Sequence, residues 1–226
     1  MEMAPPVALA ALLALAASRC AASEVFALMQ QPLVARRFGL DDDALAQLHD
    51  ALRDAGFRWA LDARHLAGFD VPATPRHTLD DALQRLFLGH VLPEGADEPF
   101  EGLLGAGHAE GSRALALGAF WQFSQSLRQW QLDLQAPRGP AAWAAAWFEM
   151  LEAFTKPQDA DLDDQQELHA AIRQVVDDMR GGGLECSLRC CDHPGLGVGQ
   201  ALVTGFDRFA RTACQHLQHG NRQIDA

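Results

Sequence analysis

Apolar residues recur at three- and four-residue steps along most of this chain, the spacing of helices that bury one face. The clearest run is Phe120, Phe123, Leu127, Trp130 and Leu134, in a segment that starts at Ser112. Pro137 and Pro140 separate it from a second run, Trp143, Trp147, Met150, Leu151 and Phe154, which Pro157 closes. The spacing predicts an antiparallel hairpin of these two helices. A last periodic segment carries Leu168, Ile172, Val175, Val176 and Met179 and stops at Gly181-Gly182-Gly183. Upstream, Leu45, Leu48 and Leu52 form a stripe behind Asp41, Asp42 and Asp43, with Gly56 at its end. Three acids in a first turn suit the helix dipole. Consecutive helical residues point about 100° apart, so the triplet reads as a cap and not as a metal site. Thr78, with Asp81 three residues on, opens a helix buried through Leu79, Leu83, Leu86 and Phe87 and stopped by Gly89. Ser23 is expected to cap a short helix with Val25, Phe26, Leu28 and Met29, broken by Pro32 before an Arg36–Gly39 turn. Between these elements, Phe57–Asp70 reads as an irregular connection. Pro93–Gly111, with two Pro and five Gly, reads as a long surface loop.

The apolar run Val7–Ala17 has two readings. Its length suits the core of a secretory signal, which would make this a secreted helical protein. Against that, Glu2 stands where positive charge is needed, and Arg19 precedes Cys20 where a lipoprotein signal places a small residue. The run is too short to span a membrane. A buried helix presenting Leu9, Leu12, Leu13 and Ala16 is favoured.

With 226 residues, 49% of them hydrophobic, the chain can bury a core without disulfide staples. Few β-branched residues and abundant Leu and Ala point to an all-α fold. Eighteen basic against thirty acidic residues give a formal charge of -12, and every basic residue but Lys156 is Arg. Such a balance excludes a free-standing nucleic-acid binder. Five Cys, an odd number, fit reduced cytosolic thiols.

Catalytic signatures are missing. There is no phosphate-binding GxxxxGK[ST] loop, no GxSxG elbow and no HExxH pair, and Gly195, Gly197 and Gly199 lack the third glycine spacing and preceding strand of a dinucleotide site. No catalytic residue and no cofactor is expected. The one cluster with ligand chemistry is Cys186, Cys190, Cys191, His193, Cys214, His216 and His219. Of these, Cys186, Cys190, His193 and Cys214 are the weak candidates for a zinc site, and a small metal-binding protein is the second alternative. Their irregular spacing favours incidental residues. Trp130, Trp143 and Trp147 lie on helical stripes and belong to the core rather than to a base-stacking platform.

ASEVFALM at Ala22–Met29 and VARRFGL at Val34–Leu40 begin a series of collinear segments that resembles the RecC family, the gamma subunits of exodeoxyribonuclease V. GFRWALD at Gly56–Asp62 resembles the family's GIRWGLD, and Pro72-Ala73-Thr74 with His77-Thr78 resembles its PAT and HTW pair. Leu86–His90 is similar to LLLGY, Pro99–Gly102 and Glu110–Ser112 follow in order, and the Trp143 helix through Phe154 and Pro157 is similar to the EW…FF.P helix. The likeness runs from about Leu12 to Leu188. Leu79 stands where the family has Trp, and Gly105–His108 where it has an LPYDE-like stretch. Residues 1–188 thus read as a RecC-like helical domain and 189–226 as an unmatched tail without the family's PMRSIPF-like strand, for which a frameshift or a truncated reading frame is the expected explanation.

The resemblance implies an internal fragment of a subunit that looks like a helicase without its ATPase motifs, close to a 2B subdomain. It further implies RecB-like and RecD-like partners, DNA reached only through the complex, no membrane and a cytoplasmic location. Arg58, Trp59 and Asp62 are the positions expected to touch DNA or a partner subunit, unless they only anchor the loop between two helices.

Overall fold

A computed structural model describes residues 5–72, 74–93, 98–107 and 111–181. Among these the regular structure is helical, with no strand. The chain divides into two compact units, one formed by Ser18–Trp130 and the other by the N-terminal helix together with the segment from Gln131 onward.

In the Ser18–Trp130 unit the helices are α2 (Ala22–Met29), α3 (Pro32–Phe38), α4 (Asp42–Asp54), α5 (Ala63–Ala67), α6 (Leu79–Val91) and most of α7 (Ser112–Asp133). Local chemistry sets most of the boundaries. Asp41 accepts the Ala44 N–H at 2.8 Å and caps α4, whose Leu45, Leu48 and Leu52 are buried as expected. Thr78 does the same for α6, accepting from Asp81 N–H at 3.2 Å. Asp81 closes the motif one residue earlier than a regular box, its carboxylate accepting the His77 N–H at 3.0 Å.

Four expectations need correcting. Ser23 lies inside α2; Ala21 is the cap position, and the Glu24 carboxylate turns back to accept the Ala21 N–H at 2.8 Å. Pro32 begins α3 instead of only breaking α2, because the first helical position needs no N–H. The Arg36–Phe38 stretch is therefore the last turn of α3, closed by Gly39 at φ +67°. Phe57–Asp70 contains the one-turn helix α5, which Asp62 caps by accepting the His65 N–H at 2.8 Å. Gly89 does not stop α6, which continues to Val91. Its missing side chain serves packing, since a Cβ there would sit 2.3 Å from the Gly107 carbonyl oxygen and 2.6 Å from that of Ala106. The irregular segment at 98–107 is thereby laid directly on α6, and the Ala106 N–H donates to the Arg85 carbonyl at 2.8 Å. Across the unit, Arg128 of α7 reaches Asp80 of α6 at 2.5 Å, and Phe38 meets Phe123 edge-on at 5.4 Å.

The second unit contains α1 (Pro5–Ala16), α8 (Pro140–Phe154), a 3-10 turn (Asp159–Asp161) and α9 (Leu162–Gly181). Helix α1 packs on both α8 and α9, which also pack on each other. The apolar run is therefore a buried helix: Leu9, Leu12 and Leu13 are shielded as expected, joined by Ala8 and Leu15, while Ala16 is only half-buried. Trp143, Trp147, Met150 and Phe154 of α8 and Leu168 and Ile172 of α9 are buried in this core. Since α8 finds its partners in α1 and α9, the expected hairpin with α7 is not the pairing that organises this unit. No helix among the described residues is long and apolar enough to cross a membrane.

Candidate functional site

The segment Phe57–Asp62 runs between two others in the Ser18–Trp130 unit. On one side the Ala22 N–H donates to the Arg58 carbonyl at 2.8 Å and the Ala60 N–H to the Arg19 carbonyl at 2.9 Å. On the other side the Arg58 N–H donates to the His77 carbonyl, and the N–H groups of Leu79 and Asp80 donate to the carbonyls of Ala60 and Leu61, each at 2.9 Å. Three chain segments thus exchange backbone hydrogen bonds without forming regular strands. Positive φ angles at Cys20 (50°), Ala60 (65°) and His77 (66°) interrupt any ladder. Such angles are rare away from glycine and persist only where surrounding bonds impose them.

His65 pins this crossing from below. Its Nδ1 accepts the buried Leu61 N–H at 3.1 Å, so that nitrogen carries no proton. Burial pulls the imidazole below its ordinary value of 6.5, opposed by the nearby Asp62 charge and by a hydrogen bond to the Ser18 backbone. Phe69 packs edge-on against both His65 (5.2 Å) and Trp59 (5.9 Å), and the Arg19 guanidinium lies 5.7 Å from the Trp59 ring centre.

The three residues expected at the site therefore occupy different situations. Asp62 is engaged as the cap of α5, and Trp59 is half-buried between Arg19 and Phe69. Arg58 holds the crossing only through its backbone and leaves its side chain exposed. Arg64 of α5 and Arg76, next to His77 in the chain, are absent from the sequence-based expectation and are also exposed. Neither they nor Arg58 form an ion pair among the described residues. The Arg58 N–H···His77 carbonyl bond joins segments far apart in sequence, which no local pattern announces.

Arg58 also lies at one end of an open groove of about 850 Å³ between α2 and α4. Leu45, Leu52 and Phe57 form its buried floor, and Phe26 meets His49 across it with ring centres 4.8 Å apart. Among the described residues no group of three or more His, Cys, Asp and Glu could hold a metal ion. Cys186, Cys190, Cys191, His193, Cys214, His216 and His219 lie outside the described residues, as does the whole 189–226 tail.

Residues 6–192 match the family described as RecBCD enzyme subunit RecC fourth domain. The chain is similar to the RecBCD enzyme subunit RecC of Escherichia coli K12, 28% identical over 182 residues that cover 78% of this chain and 16% of that protein. It is similar also to the subunit of the same name from Mycolicibacterium smegmatis, 29% identical over 192 residues covering 83% of this chain and 17% of the relative. The counterpart from Buchnera aphidicola is 21% identical over 143 residues, 63% of this chain and 13% of its own length. The chain therefore spans about a sixth of the length of the curated relatives it matches. A family match over most of the chain, collinear with its helices from α1 to α9, places it: the protein belongs to the RecC family through that family's fourth domain.

Proposed function

We propose that this chain is an architectural and DNA-handling part of an exodeoxyribonuclease V-type helicase-nuclease, acting in double-strand break repair and recombination and catalysing no step itself. The observation that carries this reading is the fourth-domain match over residues 6–192. Its working partners are then RecB-like and RecD-like subunits in the cytoplasm, as the names of the RecBCD relatives suggest, and its helical body takes the part of a 2B-like subdomain. Arg58 and Trp59 are the contact residues, with Asp62 holding α5 beneath them. The exposed Arg58, Arg64 and Arg76 supply positive charge on a chain whose formal charge is -12, which suits a phosphate backbone or an acidic partner surface already held nearby by the complex. The overall negative charge opposes DNA binding by the chain alone.

The test is co-expression of the full chain with the RecB-like and RecD-like subunits of its own source, followed by purification and titration with a forked duplex. The chain is expected to co-purify with both subunits, and the isolated chain to bind no DNA at physiological salt. Replacing Arg58, Arg64 and Arg76 together by Glu is expected to weaken either assembly or duplex binding at least tenfold. A folded wild-type chain that joins neither subunit would overturn the reading. Unchanged assembly and DNA binding by the folded triple variant would remove these arginines from it.

A further inference from the structure

A second cavity of the Ser18–Trp130 unit, about 240 Å³ in volume, lies where α4, α6, α7 and the 106–107 segment meet. Leu48, Leu86 and Leu117, all buried, wall it. The space exists because the residues between them are small. Ala106 and Gly107, brought down onto α6 by the missing side chain of Gly89, close one side, and Ala116 of α7 closes another. Gly107 has φ +67°, so a larger residue there would be strained, and its Cβ would lie 4.0 Å from Leu86 Cδ2. An apolar cavity of about 150 Å³ is enough to hold benzene, and this one has room for a second fused ring. Gln47 of α4 interrupts the apolar lining: its Oε1 is buried, and no donor among the described residues reaches it. Buried acceptors in folded proteins are nearly always paired, so an unpaired one in a cavity wall marks where a donor of a ligand fits. The mouth carries no excess charge, since Asp50 and Asp54 share Arg53 at 3.3 and 3.7 Å and Arg113 stands with them. None of the large apolar residues exposed among the described residues borders the mouth, so a bulky partner has no apolar rim to cover.

We propose that this cavity binds a free, uncharged, planar aromatic molecule of two fused rings with one ring N–H, the indole class, and that this N–H donates to Gln47 Oε1. The three leucines and Ala116 bury the rings, which sets affinity and is indifferent to the donor. Gln47 sets specificity. A ring of the same size without a donor leaves the buried amide oxygen unpaired, and sites built around a buried polar group reject such analogues strongly. A phosphate backbone has no excess cation to meet at the balanced mouth. The proposal needs neither DNA nor another subunit of the complex, so its failure leaves the function proposed above untouched.

The probes are indole and benzofuran, bicyclic rings of similar size of which only indole carries an N–H. Titrated into the full, isotope-labelled chain and followed by NMR, indole is expected to bind at least tenfold more tightly than benzofuran. Its binding should shift the amide signals of Gln47, Ala106 and Ala116. Gln47→Met keeps the side-chain length but loses the amide oxygen, and is expected to bring the two affinities within twofold of each other. Ala116→Leu is expected to fill the cavity and abolish binding of both rings with an unchanged far-ultraviolet circular dichroism spectrum. Should that variant lose helicity, Ala51→Leu on α4, half-buried at the same cavity, gives the same reading. Equal affinities for the native chain, a preference that survives Gln47→Met, binding that survives the filled cavity, or no binding of either ring would each overturn the proposal.

Discussion

His65 shows how one side chain can govern a crossing of three segments. Its Nδ1 must stay unprotonated to accept the Leu61 N–H, and burial lowers its affinity for protons below that of a free imidazole. The unfolded chain therefore binds more protons than the folded one between the lowered folded value and 6.5, and stability rises with pH across that window. The contribution is complete above about 6.5 and is lost as pH falls through the folded value. Urea midpoints measured from pH 7.5 down to 5 should fall more steeply for the native chain than for His65→Gln, which keeps a polar side chain but cannot titrate. Parallel curves would show that another group causes the decline. His169, also lowered by burial, is untouched by this substitution and serves as the internal reference.

At the scale of elements, glycines with the same propensity cost have opposite roles. Gly89 of α6 lies under the carbonyls of Ala106 and Gly107, whereas a Cβ on Gly118 of α7 meets nothing within 4 Å. Gly89→Ala is expected to force 105–107 off α6, at a cost of about 1–3 kcal/mol. Gly118→Ala should instead stabilise α7 by about 0.8–1.0 kcal/mol, the ordinary helix preference. Thermal unfolding of the pair tests this directly: a fall in Tm for the first and a rise for the second. Equal shifts would mean that the loop is not seated on α6. The close approach also explains why a stretch of Gly105, Ala106 and Gly107 follows so long after the helix it covers, which no local pattern announces.

For the molecule as a whole, the unit built on α1 depends on residues far apart in sequence. Leu12 is 1% exposed and sits in the helix that packs on both α8 and α9. Leu12→Ala is expected to cost about 2–5 kcal/mol, the range for emptying a buried leucine site. Hydrogen exchange should then speed up across Pro140–Phe154 and Leu162–Gly181 far more than across Asp42–Asp54. A uniform increase would show instead that the two units open together.

The sequence by itself determined the class of fold and the helices whose signals are local. The four-turn stripe of α7, the Asp41 and Thr78 caps and the apolar face of α4 all depend on bonds or contacts within four residues, so their spacing is written in the chain. The collinear motifs likewise made the family legible. Only the tertiary structure decided that α1 pairs with α8 and α9, that Gly89 is a seat and not a stop, and that the Arg58 backbone bonds to that of His77. Those outcomes rest on hydrogen bonds and packing between segments tens of residues apart. Helical periodicity reports which face of an element is buried but carries no information about what buries it.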